Sequence, residues 1–366
     1  MKRMCMQGQS GNLCYRWSHA LVRWMLSAHN PPSELQSASV IESSCRQSVL
    51  LHALVASPPI CIILPGQVLT TTSLSLLPSW LPFSTMSAKA EFELPGEKWW
   101  STDTVAVVTG ANKGIGYGIA KLLASQGLLT VVAARNEELG RKAVHEIQES
   151  TGSKAVHFAR LDITDGASVK HFAATMEAEY GGVTILVNNA GFAYKGDVFG
   201  ADEADKTISV NYRGTRAVCE AVQPLLTKNA RIVNVSSRAG LLKIIQSDSL
   251  RQKVDSASSL QNVDDLAEDF VASIKADKLQ GSGWPRSMYG VSKLCETAYT
   301  RVLAEQLKGA GVMVNACCPG YVDTDMTSHR GVKTLEQGAD TPVWLALMPP
   351  GGPTGKLFAE RKQIPF

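Results

Sequence analysis

The first 86 residues of this 366-residue chain contain almost no acidic side chains. They hold no aspartate and only two glutamates, Glu34 and Glu42, beside five basic residues and 14 serines. The remaining 280 residues carry 31 basic and 31 acidic side chains and are therefore electrically neutral. This change in composition divides the chain near residue 86, and the C-terminal part is long enough for one α/β domain.

The chain also lacks clustered cations and metal-ligand spacings. No run of Lys and Arg is longer than a pair and the net charge is +3, which excludes the basic surface expected of a nucleic-acid-binding protein. The eight cysteines form no C-x-x-C or Cys/His pattern. We therefore predict no metal site, no nucleic-acid partner, and free thiols in a reducing compartment.

Long uninterrupted apolar runs are missing as well. Residues 47–88 carry no charge except a possible one on His52, but five prolines interrupt this stretch, at Pro58, Pro59, Pro65, Pro78 and Pro82. A membrane span needs roughly 20 consecutive apolar residues. We therefore predict no stable transmembrane helix.

Residues 1–86 form a leader with three open interpretations. Its serine-rich, acid-poor composition is typical of an organelle transit peptide. Translation from Met86 would instead make the leader dispensable or artefactual, and a membrane-associating segment is the third interpretation. We accordingly expect a cytoplasmic protein, or a chloroplast protein if the leader is a transit peptide, and we predict the fold from residues 87–366 alone.

From residue 87 onward, apolar strands alternate with amphipathic helices. The predicted strands are Val105 to Val108, Leu129 to Ala134, Ala155 to Arg160, Thr184 to Val187, Arg231 to Val235 and Val312 to Ala316. The predicted helices are Ile115 to Leu123, Glu137 to Glu149, Ser168 to Tyr180 and Asp202 to Leu226. This alternation predicts an α/β fold with a doubly wound parallel sheet, whose ligand lies beyond the carboxyl ends of the strands.

A glycine-rich loop connects the first predicted strand to the first helix. Its sequence is Thr109-Gly110-Ala111-Asn112-Lys113-Gly114-Ile115-Gly116. Gly110 permits a tight turn, Gly114 lets a phosphate approach the backbone, and Gly116 allows close helix packing. Because the N-terminus of the helix offers unpaired N–H donors, the loop predicts a site for the pyrophosphate of a dinucleotide.

The end of the second strand indicates which dinucleotide binds. An NAD site places Asp or Glu there to accept from the ribose 2′-hydroxyl, but this chain has Ala133-Ala134-Arg135. Arg135 and Lys113 instead offer two cations for a 2′-phosphate. The alternative is that both are solvated surface residues. We predict NADP(H).

Tyr289 and Lys293 lie four residues apart on a predicted helix, so both side chains project from one face. An ammonium beside a phenol lowers the pKa of the tyrosine and makes it a proton donor and acceptor nearer neutral pH. Tyr117 and Lys121 share this spacing, but they follow the glycine loop directly and we interpret Tyr117 as structural. Ser237, after the fifth strand, would bind a substrate oxygen or cap a turn.

Taken in order, these motifs resemble the short-chain dehydrogenase/reductase family over residues 104 to about 366. The matching pieces are Thr109-Gly110-x-x-x-Gly114-x-Gly116, Leu161-Asp162-Ile163, Asn188-Asn189-Ala190-Gly191, Asn211, Ser237, Tyr289 with Lys293, and Pro319-Gly320 followed by Thr324. The resemblance implies a single Rossmann-type domain.

Further segments resemble the monomeric NADPH carbonyl reductases and plant relatives of menthone and neomenthol type. These segments are Trp99-Trp100-Ser101, Gly283-Trp284-Pro285, Asn315 to Met326 and Thr341 to Pro350. The subgroup implies NADPH-dependent reduction of a small carbonyl substrate, either a ketone, an aldehyde or a quinone, to an alcohol.

The resemblance also assigns roles to individual residues. Tyr289 donates a proton to the substrate carbonyl, Ser237 holds the carbonyl oxygen, Lys293 binds the nicotinamide ribose, and Asn211 positions a water. The implied cofactor-binding residues are Gly110, Asn112, Lys113, Gly114, Ile115, Gly116, Arg135, Asp162, Ile163, Asn188, Gly191, Tyr289, Lys293, Pro319, Gly320, Val322 and Thr324.

An insertion at about residues 240–285 accounts for much of the 51-residue separation of Ser237 from Tyr289. It contains a predicted helix from Val263 to Ala276. In oligomeric relatives the helix that carries the tyrosine forms the subunit interface, so an inserted helix that covers it predicts a monomer.

Two alternatives to a reductase stay open. A catalytically silent NADP(H)-binding sensor or scaffold is compatible with the fold, although the complete set of Asn211, Ser237, Tyr289 and Lys293 argues against it. A nucleotide-sugar epimerase would have a two-residue first gap in its glycine loop and a longer C-terminal substrate domain. Both features are absent from this sequence.

Overall fold

The computed structural model describes residues 92–366, together with a short antiparallel ladder in which Ile63–Leu64 pairs with Gln67–Val68. The three interpretations of the leader otherwise concern residues outside this description. The residues from Ala88 to Phe366 form one compact unit. Within the described part of the chain, no helix is both long and apolar enough to cross a bilayer.

An eight-stranded sheet forms the centre of this unit. Its strands are β1 (Val105–Thr109), β2 (Leu129–Ala134), β3 (Val156–Arg160), β4 (Val183–Asn188), β5 (Leu226–Val235), β6 (Met313–Cys318), β7 (Leu357–Ala359) and β8 (Lys362–Ile364). The spatial order is β3-β2-β1-β4-β5-β6-β7-β8, and every pair is parallel except β7 with β8. Strand order reverses between β1 and β4, which opens a ligand crevice at the carboxyl ends of these strands.

Helices cover both faces of the sheet. They are α1 (Gly114–Ser125), α2 (Glu137–Thr151), α3 (Gly166–Tyr180), α4 (Ala201–Ile208), α5 (Thr215–Val222), α6 (Asp248–Asp255), α7 (Leu260–Lys275), α8 (Met288–Leu307) and α9 (Leu335–Ala346). Alternate residues of β1 enter the two cores: Val107 packs toward α3, α5 and α8, and Val108 packs toward α1, α2 and α9. The doubly wound α/β prediction is confirmed.

The predicted continuous helix from Asp202 to Leu226 is wrong. The chain forms α4, then a π-helical turn over Ser209–Gly214, then α5. Pro224 lies in a short 3₁₀ turn that ends the helical segment, and Leu226 already belongs to β5. The π turn carries Asn211 and interrupts the α-helical register at that residue. Such turns are frequent at functional sites.

The insertion contains α6 and α7, and the predicted helix from Val263 to Ala276 is confirmed with a slightly earlier start. Helix α7 packs on α8 through buried apolar side chains that include Leu266 and Phe270. The Trp284 indole donates to Asp269 Oδ2 at 2.7 Å and packs edge-on against Phe270. These contacts fix the inserted helix to the domain.

Candidate active site

The glycine loop adopts the tight turn predicted for it. Gly110 and Gly114 have φ values of +63° and +59°, in the left-handed region that favours glycine. Helix α1 begins directly after Lys113, and no described side chain caps its N-terminus. Because the first turn of a helix leaves backbone N–H groups unpaired, this end of α1 suits an anion.

Thr109 and Asn189 fasten the end of β4 to the glycine loop. The Thr109 hydroxyl accepts from the backbone N–H groups of Asn189 and Ala190, both at 3.0 Å. The Asn189 amide donates to the carbonyls of Thr109 and Gly110 at 3.0 and 3.3 Å. Asn189 was not among the predicted site residues, although it stands in the Asn188-Asn189-Ala190-Gly191 motif directly after a predicted strand.

Asn188 has a different role from its neighbour. Its amide nitrogen donates to Asn234 Oδ1 at 2.9 Å and to Cys219 Sγ at 3.1 Å, inside the protein. Burial raises the pKa of the Cys219 thiol to about 12, so this thiol is neutral. The Asn188 side chain therefore connects β4 to β5 and α5 in the interior.

The two cations predicted at the nucleotide end differ in their surroundings. The Arg135 side chain is 78% exposed, and its guanidinium lies 3.9 Å from Asp162 Oδ2. The other oxygen of Asp162 accepts from the backbone and hydroxyl of Thr164. Lys113, by contrast, donates to Asp325 at 2.7 Å and lowers the pKa of that carboxyl. The pairing of Lys113 was not predicted.

The segment after β6 closes over the glycine loop. Gly320 adopts a φ of +92°, and Thr324 begins a short turn in which its backbone N–H donates to the Thr327 hydroxyl at 3.1 Å. The methyl group of Thr324 would lie 3.6 Å from a Cβ at Gly114. The carboxyl ends of β1 and β6 therefore share one site.

A cleft of about 450 Å³ lies between these segments and α8. The predicted site residues that line it are Ile115, Ser237, Tyr289, Pro319, Gly320, Val322 and Thr324. Asn211 and Lys293 are buried behind its wall, and Ile163 is buried against Gly214. Tyr194 and Lys195 also line the cleft, and unpredicted side chains there include Tyr321, Met326 and Arg330.

The turn after β5 brings Ser237 to Tyr289. Gly240 in this turn packs directly on α8, and a Cβ there would lie 2.5 Å from the Leu294 nitrogen. Ser237 Oγ accepts from Ala239 N–H at 3.1 Å, and the same hydroxyl is near enough to Tyr289 to lower the pKa of the phenol. Ser237 therefore caps the turn, and its hydroxyl also lies beside Tyr289; its binding of a substrate oxygen stays a prediction.

Lys293 lies one helical turn after Tyr289 and is buried. Its ammonium donates to the Val235 carbonyl at 2.8 Å and to Glu296 Oε2 at 2.7 Å. Burial raises the pKa of Tyr289 above its ordinary value, and the Lys293 charge opposes this rise. The expected lowering by Lys293 is present, but burial outweighs it, so the phenol keeps its proton at neutral pH.

Asn211 fixes the loop that follows β4. Its amide donates to the Ser292 hydroxyl and to the Phe192 carbonyl, both at 2.8 Å, and accepts from the Phe192 N–H at 2.7 Å. A Cβ at Gly191 would lie 3.4 Å from Asn211 Oδ1 and 3.6 Å from Lys293 Nζ. The structure thus brings Asn211, Gly191 and Lys293 together.

Comparison with known proteins agrees with this geometry. Residues 104–248 and 270–334 match the family model described as short chain dehydrogenase. NADPH carbonyl reductase 3 of Mus musculus is 41% identical over 273 residues, covering 71% of this chain and 98% of the relative.

Two solved plant structures are also similar. Salutaridine reductase from Papaver somniferum has a TM-score of 0.65 at 32% identity, covering 70% of this chain and 99% of the other. Menthone neomenthol reductase from Mentha piperita has a TM-score of 0.63 at 30% identity, covering 71% and 99%. The chain therefore belongs to the short-chain dehydrogenase/reductase family of NAD(P)H-dependent oxidoreductases.

Proposed function

We propose that the chain is an NADPH-dependent reductase that converts the carbonyl group of a ketone, aldehyde or quinone to an alcohol. The observation that carries the proposal is the arrangement of Ser237, Tyr289 and Lys293. The serine and tyrosine hydroxyls face the same cleft, and the ammonium is buried one helical turn behind the phenol. The glycine loop forms part of the opposite wall through Ile115.

The residues around the cleft fit a nicotinamide dinucleotide. The left-handed turns at Gly110 and Gly114, and the N-terminus of α1 without a side-chain cap, suit a pyrophosphate. Thr324 lines the cleft, and Gly191 lies next to Lys293. When bound there, the cofactor would supply the hydride.

Side chains of the protein would supply the proton to the substrate. The Ser237 hydroxyl would donate a hydrogen bond to the substrate carbonyl oxygen, and the Tyr289 phenol would give that oxygen its proton. Because burial keeps the phenol protonated at neutral pH, the proton is present before the substrate arrives. The Lys293 ammonium stabilises the phenolate that remains, and Asn211 holds the adjoining loop in place.

Arg135 supports a preference for NADP(H) over NAD(H). It follows β2 directly, no acidic residue ends that strand, and its guanidinium is largely exposed. An Arg fork matches the geometry of a phosphate and is weakly hydrated, so a 2′-phosphate would gain a strong partner there. Lys113 would contribute less, because Asp325 already neutralises it.

The mouth of the cleft favours apolar carbonyl compounds. Tyr321 and Met326 are 50% and 43% exposed beside it, so both present apolar surface to the cleft. On the other side, Tyr194 packs edge-to-face with Phe192 at a centroid distance of 4.7 Å. A substrate of this class would bury these side chains on binding.

We also propose that residues 87–366 are the working domain and that it is a monomer. Helix α7 covers α8, and Asp264 on α7 accepts from the Tyr212 hydroxyl at 2.8 Å, so the cover is fixed by polar contacts too. Light scattering is expected to give the mass of one chain. A mass of two or four chains would contradict the proposal.

The experiment that tests the function measures NADPH consumption by the full chain with menthone, a quinone and a reactive aldehyde. We expect turnover with at least one substrate, and we expect Tyr117→Phe to preserve it, because Tyr117 packs beside the core on α1. NADPH binding without consumption of any substrate would contradict the proposal and favour a silent sensor.

A further inference from the structure

A buried carboxylate contacts the lysine of the proposed active site. Glu296 is on α8, one turn after Lys293, and its side chain is 1% exposed while that of Lys293 is 4% exposed. Their charged atoms are 2.7 Å apart. The second oxygen of Glu296, Oε1, accepts no hydrogen bond from any residue that the structure describes.

Stability does not explain this pair. Removing two charges from water costs several kcal/mol per ion, and an apolar pair of similar volume packs as well or better. Glu296 also keeps one carboxylate oxygen buried without a partner, which is a further cost. The pair instead commits two of the three donors of the Lys293 ammonium, one to Glu296 and one to the Val235 carbonyl at the end of β5.

We propose that Glu296 is a positioning residue of the site: its carboxylate holds the Lys293 ammonium against the end of β5 and offsets the positive charge that this ammonium exerts on Tyr289. The proposal deepens the proposed function and rests on it, since it assigns Tyr289 the role of proton donor. Glu296 would thereby add to the effect of burial on the phenol, with the ammonium still in place to stabilise the phenolate.

The electrostatics agree with this geometry. The Glu296 charge raises the pKa of Tyr289, opposite to the effect of Lys293. Burial raises the pKa of Glu296 itself to about 7, with Lys293 opposing the rise. The carboxylate is therefore about half ionised near pH 7, becomes complete as the pH rises further and is lost as the pH falls, so its effect on Tyr289 is largest on the alkaline side.

Among the residues that the structure describes, no other charged group competes with Glu296 in this interior. The titratable groups that face it are Lys293 and Tyr289 on α8, Cys317 on β6 and Cys219 on α5. Burial raises the pKa of both thiols well above the ordinary value, so both are neutral. Within the described part of the chain, the Glu296 carboxylate is therefore the one group that balances Lys293.

The test titrates the Tyr289 phenol without any substrate. NMR of protein labelled with carbon-13 tyrosine would follow its signal, assigned by its loss in Tyr289→Phe. Glu296→Gln keeps the shape and an acceptor for Lys293 but removes the charge. We expect the Tyr289 midpoint to fall by roughly half to one pH unit, so that the phenolate fraction at a given alkaline pH rises about three- to tenfold.

The matched control is Glu305→Gln, the same change on the same helix at a side chain that is 76% exposed. It is expected to leave the Tyr289 midpoint unchanged. An equal or higher midpoint in Glu296→Gln would overturn the proposal. If Glu296→Gln does not fold, the unmodified protein decides: its Tyr289 signal is expected to show a small step near pH 7, where Glu296 titrates, and a signal without this step would overturn the proposal.

The pH dependence of enzyme activity provides an independent measurement of the Tyr289 midpoint. The pH at which alcohol oxidation with NADP⁺ reaches half its plateau is expected to fall in Glu296→Gln by the same amount as the NMR midpoint. A midpoint that shifts in a protein without turnover would support Glu296 and contradict the proposed function. A midpoint that stays fixed in an active enzyme would contradict the role of Glu296 alone.

Discussion

The nucleotide end of the cleft and its catalytic end are built in opposite ways. Around the glycine loop, the charged side chains are exposed: Arg135 is in solvent, and Lys113 and Asp325 pair at the surface. Around α8, the charged side chains are buried, and Lys293 and Glu296 contact each other in the interior. The first end presents exposed charges in separate surface pairs, and the second end presents a connected buried group.

This difference determines how each end responds to substitution. Exposed charges are screened by water and salt, so a change at one of them is local and modest. Buried groups that share hydrogen bonds respond together. At the catalytic end, Ser236 donates to the Lys293 carbonyl and contacts Thr297. The Lys293 ammonium in turn contacts Glu296, so these side chains form one connected set. We therefore expect substitutions at the nucleotide end to change cofactor preference without loss of catalysis. Substitutions at the catalytic end are expected to disturb the fold as well as catalysis.

Lys293→Met should have the largest effect of the changes considered. It leaves Glu296 buried without its partner, which we expect to destabilise the domain by about 3–5 kcal/mol in urea unfolding. Carbonyl reduction should fall at least a thousandfold. The double variant Lys293→Met/Glu296→Leu should recover much of the stability and none of the activity, and recovery of activity would show that the buried pair does not serve catalysis.

Gly240→Ala tests how closely the Ser237 turn must approach α8. The new Cβ would collide with the backbone at Lys293 and Leu294, so the turn has to move. We expect kcat to fall about a hundredfold, as a displacement of roughly 1 Å in a catalytic group does. The control is Gly309→Ala, which meets open space. Equal kcat values for the two variants would contradict the assigned role of this contact.

Arg135→Asp tests the exposed end. It replaces the cation that we assign to the 2′-phosphate with the acid that NAD sites carry at this position. We expect KM for NADPH to rise about ten- to a hundredfold, equivalent to about 1.4–2.8 kcal/mol, with kcat nearly unchanged. The control is Arg141→Asp on α2, where the same charge change should leave the preference for NADPH over NADH intact.

Asp325→Asn should have the smallest effect. It frees the exposed Lys113 ammonium for a phosphate. KM for NADPH is expected to fall by less than about threefold, and the difference should vanish at high salt because exposed charges are screened. A rise in KM would instead indicate that the Lys113–Asp325 pair holds the cleft in its binding geometry.

Much of the fold follows from the sequence because the core strands are continuous apolar runs bounded by turns. Leu129–Ala134 was predicted with the observed bounds, and the other five predicted strands differ by a few residues at their ends. β7 and β8 were missed, since these three-residue strands form only by pairing with each other and, for β7, with β6. The π turn at Asn211 was missed because helical periodicity carries no signal for one additional residue per turn.

The candidate active site could likewise be predicted from the sequence only in part. The glycine loop and the residues Ser237, Tyr289 and Lys293 were recognisable from residue type and spacing, and their roles stay proposals. Glu296 was not recognisable, since a glutamate on a helix is usually solvated and only tertiary packing buries this one. The pairing of Lys113 with Asp325 joins residues 212 positions apart, a separation that local patterns do not reach.

The most direct test of the account compares Tyr289→Phe with Tyr117→Phe, two tyrosines that are each followed by a lysine at the fourth position. NADPH affinity, from fluorescence titration, and kcat for carbonyl reduction would be measured on the same samples. We predict that both variants bind NADPH within about twofold of the unmodified chain, and that only Tyr289→Phe loses turnover, by at least about a thousandfold. Turnover retained in Tyr289→Phe would contradict the assignment of Tyr289 as proton donor.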